Sequence, residues 1–197
     1  MNSTLVFFFV DALAVLVVIA AAYATARGLR AYLKFRGKRL VTCPENRQPA
    51  AVALDARRAA RQAVLGEANF RLAECSRWPE RRDCAQQCLG QIESDPEGSL
   101  VGNIAAQWYA DKRCAYCGKP IVAPGETWPE HAPALATATQ PPVEWDDVPP
   151  EKLPEMFRTH QPVCWSCQVA ETFRRRFPEL VTDRPPSKVR ERTFEQH

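Results

Sequence analysis

The sequence predicts an α+β fold: one N-terminal transmembrane helix, then a small cysteine-rich region of short strands and amphipathic helices. Three observations lead there. Residues 5–26 form an apolar run with a single charge, Asp11. Beyond residue 40, stretches of period two alternate with stretches of period three to four. All eight cysteines lie in that second part, four of them as Cys-x2-Cys pairs, Cys114 with Cys117 and Cys164 with Cys167.

At a rise of about 1.5 Å per residue, the 22 residues from 5 to 26 cross the roughly 30 Å hydrocarbon core of a bilayer. A cleaved signal peptide is the competing reading. It would open on a positive segment and end at a small-residue cleavage site, whereas no Lys or Arg precedes this run. Basic residues follow it instead: Arg27, Arg30, Lys34, Arg36, Lys38 and Arg39, with no acid among them. Positive flanks stay on the cytoplasmic side. The expectation is a retained single pass in a bacterial-type inner (plasma) membrane, with the C-terminal region cytoplasmic and a very short N-terminus outside. Cytosolic thiols stay reduced, so the cysteines read as metal ligands or plain thiols. In an extracytoplasmic region, the even count of eight would suit four disulfides.

Asp11 lies about two turns from the outer end of the span. An ionisable group inside a membrane is a functional candidate, although one near an interface also snorkels toward the headgroups. Ala20, Ala24 and Gly28 recur every four residues, a spacing through which two such helices approach closely, so the span offers a homodimer contact.

The organisation read from the sequence is an anchor with its basic flank over residues 1–40, a cysteine-containing α+β unit over 41–111, a second unit over 112–181 and a disordered tail over 182–197. In the first soluble unit, Pro44, Asn46 and Pro49 mark turns before a short strand at 50–54. Residues 55–65 place Ala59, Ala60, Ala63 and Val64 on one side of a basic helix, with Asp55 at its N-cap. Phe70 and Leu72 alternate with polar neighbours in a second strand that ends at Cys75. Pro79 is expected to start a helix carrying Cys84 and Cys88 at i and i+4 on one face.

Cys43, Cys75, Cys84 and Cys88 would then form a second four-thiolate set, leaving no odd thiol in the chain. Zinc is the simplest ion for it, and an iron-sulfur cluster is the alternative, since its ligands are also cysteine thiolates. Their spacing matches no established motif. The competing reading is four small buried hydrophobes.

Residues 100–109 show apolar positions at spacings of three and four, an amphipathic helix that places Trp108 and Tyr109 in a core. Next come the paired cysteines. Two residues between thiols put both sulfurs within reach of one ion, and two such pairs complete the tetrahedral set that zinc prefers. The first pair, CAYCGKPI, reads as a tight turn in which Gly118 gives the backbone room to donate toward the thiolates. The second is followed at once by the helical pattern of Val169, Ala170 and Phe173, so it sits at a helix N-terminus that favours negative sulfur.

A turn-borne pair followed by a helix-borne pair resembles the treble-clef, or zinc-ribbon-like, zinc finger superfamily over residues 112–178. The resemblance implies one Zn2+ held by Cys114, Cys117, Cys164 and Cys167 in a treble-clef-like C-terminal unit. The 46 residues between the pairs are long for a minimal finger. Within them HAPALAT and PPVEWDDV suit a hairpin, and PPEKLPEMF a short helix started by Pro150. Treble clefs of the HNH endonuclease type insert a His-bearing hairpin here, and His131 in PEHAP loosely fits. Such sites also need further metal ligands and usually an Asn, and no Asn follows Asn103. His160 is the other imidazole in the insertion, but four thiolates already satisfy the ion.

Other chemistry has less support in the motifs. Neither pair precedes a His as covalent haem attachment requires, there is no phosphate-binding Gly loop, and the βαβ pattern around a thioredoxin-type pair is missing. The six basic residues after the span more than account for the net charge of +3, leaving the soluble part close to neutral, which argues against nucleic acid as a partner. The sequence therefore points to a membrane-anchored zinc-binding interaction or assembly protein with the lipid bilayer and an unidentified protein as partners. A membrane-associated iron-sulfur or redox component is the alternative.

Overall fold

The computed structural model describes residues 3–181 apart from 67–69, 79, 82, 124, 125, 127 and 130, with side chains described from Phe7 onward. The expected tail from residue 182 and the helix start at Pro79 lie outside the described residues. The chain sorts into two compact, interleaved units, Met1–Lys38 with Val52–Pro96 and Arg39–Ala51 with Glu97–His197.

Helix α1, Ser3–Phe35, carries the apolar run and continues through its basic flank. Its stretch Phe7–Phe35 contains an 18-residue window of mean hydropathy 2.4 and is long and apolar enough to cross a membrane. Phe7, Phe8, Phe9, Leu13, Leu16 and Ile19 are all exposed, so no protein core covers this face. Strands β1, Lys38–Thr42, β2, Pro49–Leu54, and β3, Leu72–Cys75, form a sheet in that order. β2 and β3 are antiparallel, with Val52 opposite Cys75 and Leu54 opposite Leu72. The expected strands at 50–54 and ending at Cys75 are present, while β1 lies in what read as flanking charge.

Helix α2, Ala56–Leu65, follows the sequence expectation closely. Asp55 caps it, its carboxylate accepting from the Arg58 N–H at 2.9 Å, and Gly66 ends it in the left-handed region at φ 90°. Ala56 and Ala59 are buried. Gly28 of α1 faces this helix: a Cβ there would meet Val64 Cγ2 at 3.3 Å and the Ala60 carbonyl oxygen at 3.5 Å. The small-residue position that suggested contact with another copy is thus occupied by α2 of the same chain.

Between β3 and helix α3, Leu89–Ser94, the described residues make turns rather than the expected helix. Gln86 takes φ 54°, a left-handed value that stops helical propagation, and its side-chain oxygen accepts from the Leu72 N–H at 3.1 Å. Cys88 becomes the N-cap of α3, so Cys84 and Cys88 do not share a helix face.

In the other unit, helix α4, Val101–Tyr109, buries Val101, Ala105 and Tyr109. A second sheet has the order β5-β4-β6, with β4 Ala134–Ala136 central between β5 Val143–Glu144 and β6 Gln161–Val163. Both pairings are antiparallel: Leu135 faces Val143 on one side and Pro162 on the other. The expected hairpin is β4–β5, and the expected Pro150 helix is a 3-10 turn, Pro150–Lys152, leading into α5, Leu153–Thr159. Helix α6, Trp165–Arg176, closes the unit.

Ala134, Leu135, Ala136, Val163 and Leu153 fill the core of this unit with Tyr109 and Ile121. Aromatic rings extend it. Trp108 stacks on Phe157 at 4.6 Å between centroids, and Trp128 stands edge-on to Tyr109 at 6.2 Å and to Trp145 at 5.9 Å. Offset and edge-on pairs of this kind are worth about 0.5–1.5 kcal/mol each beyond area burial. They tie the proline-rich insertion to α4, which explains how so irregular a segment holds one shape.

Candidate metal centre

The first cysteine pair sits on a turn built by its own backbone. The Cys114 N–H donates to the Lys119 carbonyl at 2.8 Å, and the Gly118 N–H returns to the Cys114 carbonyl at 2.9 Å. Gly118 takes φ 74°, where a side chain would be strained. Arg113 and Pro120 pair as a β-bridge across the base of the turn. The Ala115 N–H donates to the Pro162 carbonyl at 2.8 Å, joining the turn to β6.

β6 runs directly into the second pair. Cys164 is the N-cap of α6, with extended backbone, and its carbonyl accepts from the N–H groups of Cys167 and Gln168, both at 3.0 Å. Its own N–H donates to the Cys114 sulfur at 3.3 Å. The N-cap N–H of α6 thus faces the sulfur of the first pair.

The four sulfurs of Cys114, Cys117, Cys164 and Cys167 lie within 4.8 Å of one another. The Cys117 and Cys164 sulfurs are 3.8 Å apart. A tetrahedral ion with bonds of about 2.3 Å separates its sulfurs by about 3.8 Å, so the four sulfurs are close enough for one ion to hold. Cys114 is buried, Cys164 and Cys167 are half-buried and Cys117 is exposed.

Without a cation these thiols oppose one another's ionisation. Burial pushes the Cys114 thiol up, but backbone N–H groups of Cys117, Cys164 and Tyr116 outweigh it and leave that thiol below its usual value. Cys164 is pushed up to about 11 by burial, aided by the side chain and charge of Cys114. Cys167 is raised further, by burial first and then by its hydrogen bond with Cys164 and the charge of Cys114. Cys114 thus ionises more easily than Cys164 and Cys167, whose ionisation its charge opposes, a conflict that a divalent cation removes.

A pH dependence follows with a definite sign. At neutral pH Cys164 and Cys167 hold protons that an incoming ion must displace, so metal affinity should rise with pH. Between pH 8 and pH 6 it should fall by about tenfold per pH unit for each proton displaced, read by competition with a chromogenic chelator. A flat profile would mean that the four thiols are not the ligands.

Neighbouring groups that the spacing did not single out hold the helix-borne pair in place. Gln168 Nε2 donates to Glu144 Oε1 at 2.7 Å, linking α6 to β5. Glu171 is buried and accepts from Arg174 Nη1 and Arg175 Nε, both at 2.9 Å. Burial, with the charge of Glu171 next, raises the Tyr116 hydroxyl. The available signal was helical spacing: Gln168 and Glu171 stand four and seven residues after Cys164, on the same face of α6.

The two imidazoles of the insertion are engaged elsewhere. His131 stacks on Trp165 at 4.2 Å, and His160 Nδ1 lies 2.8 Å from the Thr159 hydroxyl; neither belongs to the four-sulfur group. Burial lowers the His160 pKa.

The remaining cysteines occupy distinct settings. Cys43 opens the β1–β2 turn, its N–H donating to the Gln48 carbonyl at 2.9 Å. Cys75 ends β3 and its carbonyl accepts from the Trp78 N–H at 3.0 Å. Cys84 is half-buried in the turns before α3, and Cys88 is buried at the start of that helix. No disulfide joins any of the eight.

No family model, no curated protein and no solved structure matches this chain.

Proposed function

We propose that this chain is a single-pass membrane protein whose C-terminal treble-clef-like unit holds one structural Zn2+ and serves as an interaction or assembly module. The observation that carries the reading is the four-sulfur cluster, closed within 4.8 Å and served by backbone donors. Four thiolates in a tetrahedral set suit zinc or iron by geometry; zinc is the simplest ion for such a set, and a site closed by four protein ligands suits a structural role. The turn-borne pair before a helix-borne pair supports the treble-clef resemblance over residues 112–178. Helix α1 supports the anchor, and the basic residues after it support a cytoplasmic C-terminal region. The chain's proposed protein partner docks on the folded unit rather than on the lipid.

Two measurements test this. A membrane-impermeant thiol reagent on intact cells should leave the cysteines unlabelled, and a cytoplasmic reporter fused after His197 should be active. Labelling from outside, with gel mobility that changes on reduction, would move the cysteines to an oxidising compartment. Metal analysis of the purified chain should give one zinc for Cys114, Cys117, Cys164 and Cys167. A second equivalent, lost on substitution of any of Cys43, Cys75, Cys84 or Cys88, is what the proposed second set requires. Brown colour in anaerobically purified protein would assign that set to iron and sulfide instead.

A further inference from the structure

We propose that the groove between α1 and α2 is a binding site for an anionic phospholipid, with Arg57 and Arg61 holding its phosphate. The inference rests on the membrane reading of α1 and adds a specific lipid contact to it. The groove is open and is lined on one side by Ala24, Leu29 and Tyr32 of α1 and on the other by Arg57, Arg61 and Val64 of α2.

Depth places the groove at the membrane boundary. Ala24 lies in the last turn of the apolar run and Tyr32 is eight residues further on, about 12 Å along the helix axis. The polar layer on each side of a bilayer is about 5–8 Å thick, so this length reaches from the edge of the hydrocarbon through the headgroups. The lining follows the same order of chemistry. Ala24, Leu29 and Val64 offer an apolar wall for the upper acyl chain, while Arg57 and Arg61, four residues apart on one face of α2, offer guanidinium groups for a phosphate. Leu65 and Val64 at the end of α2 are exposed, as suits an interfacial helix that buries apolar side chains in lipid.

Charge complementarity selects the occupant. Among the described residues no carboxylate pairs with Arg27, Arg30, Arg57 or Arg61. Among the described residues, the acid adjoining α2, Asp55, is turned to the backbone as its N-cap. Two guanidinium groups in the groove and two more on α1, none paired with a carboxylate among the described residues, at headgroup depth and on the side where positive charge is retained, fit an anionic lipid better than a zwitterionic one. Gly28 keeps the two helices close enough to form a single site: its missing side chain is what lets Val64 approach to 3.3 Å of the Cβ position.

The test uses the full chain in nanodiscs of equal parts phosphatidylglycerol and phosphatidylcholine, with lipid adducts read by native mass spectrometry after release. Phosphatidylglycerol should be retained over phosphatidylcholine by at least about tenfold. The preference should collapse in Arg57→Gln/Arg61→Gln, survive in Arg57→Lys/Arg61→Lys and survive in the distant control Arg158→Gln. Equal retention of the two lipids, or a preference that outlasts the glutamine pair, overturns the proposal. Displacement of the lipid by millimolar inorganic phosphate also overturns it, by making the groove a site for soluble anions. Failure to insert into pure phosphatidylcholine nanodiscs would refute the membrane reading and the lipid site together, whereas insertion without preference refutes the lipid site alone.

Discussion

Replacing Cys114 or Cys164 by Ser should abolish metal binding at the four-sulfur cluster and unfold residues 112–178 in one cooperative step. The apolar core of this unit is small, made largely of the three-residue strands β4 and β6 and a few helix side chains. Domains of this size depend on an ion because their buried surface alone barely offsets chain entropy. Structural zinc contributes about 10–16 kcal/mol of apparent binding energy at pH 7, far more than such a core supplies. Cys114 is the sharper of the two sites, being nearly fully buried and receiving the Cys164 N–H. The check is metal stoichiometry with near-ultraviolet circular dichroism, and full metal content with an unchanged melting profile in either variant would defeat the assignment. Cys117, exposed at the rim, should lose the ion with less disturbance of the packed interior.

Leu135→Ala should lower stability by about 2–5 kcal/mol while leaving the ion in place under native conditions. Leu135 is fully buried at the centre of the sheet, with Val143 opposite it on one strand and Pro162 on the other. Shortening it opens a cavity between strands that have few other contacts to relax into. Denaturant melts followed by Trp fluorescence give the loss, and zinc analysis at low denaturant separates it from loss of the ion. A change below about 1 kcal/mol would show that the insertion is loosely held.

What the sequence disclosed, and what it hid, follows the range of the forces involved. The α2 helix was legible from its N-cap onward because Asp55 acts within a few residues. The cysteine pairs were legible because ligand spacing is local even when the two pairs are 46 residues apart. β1 was not, since Lys38–Thr42 alternates for only five residues and its start belongs to a run of charge. The turns before α3 were misread as helix: the local pattern around Cys84 and Cys88 suits one, but Gln86 adopts a left-handed backbone while its side chain bonds to β3. Such a long-range bond leaves no periodic trace. β6 has only three residues, one of them Pro162, and exists because β4 lies beside it. The aromatic cluster around Tyr109 was legible as apolar content but not as pairings, which depend on the tertiary arrangement of a segment with little regular structure.

The central position of β4 also determines where this unit can accept foreign sequence. Between the cysteine pairs, the turn at Cys114–Gly118 and the strand β6 are fastened to each other through Ala115 and Pro162, so lengthening either end would pull directly on the sulfurs. The β4–β5 tip is different. Residues 138–141 are exposed, and the local bond there runs from the Gln140 N–H to the Thr137 hydroxyl at 3.0 Å, entirely within the turn. A peptide tag or fluorescent label grafted at this tip would sit beyond the last rung of the hairpin, on a stalk braced by the aromatic rings. That makes the tip a natural place to graft a reporter without disturbing the fold.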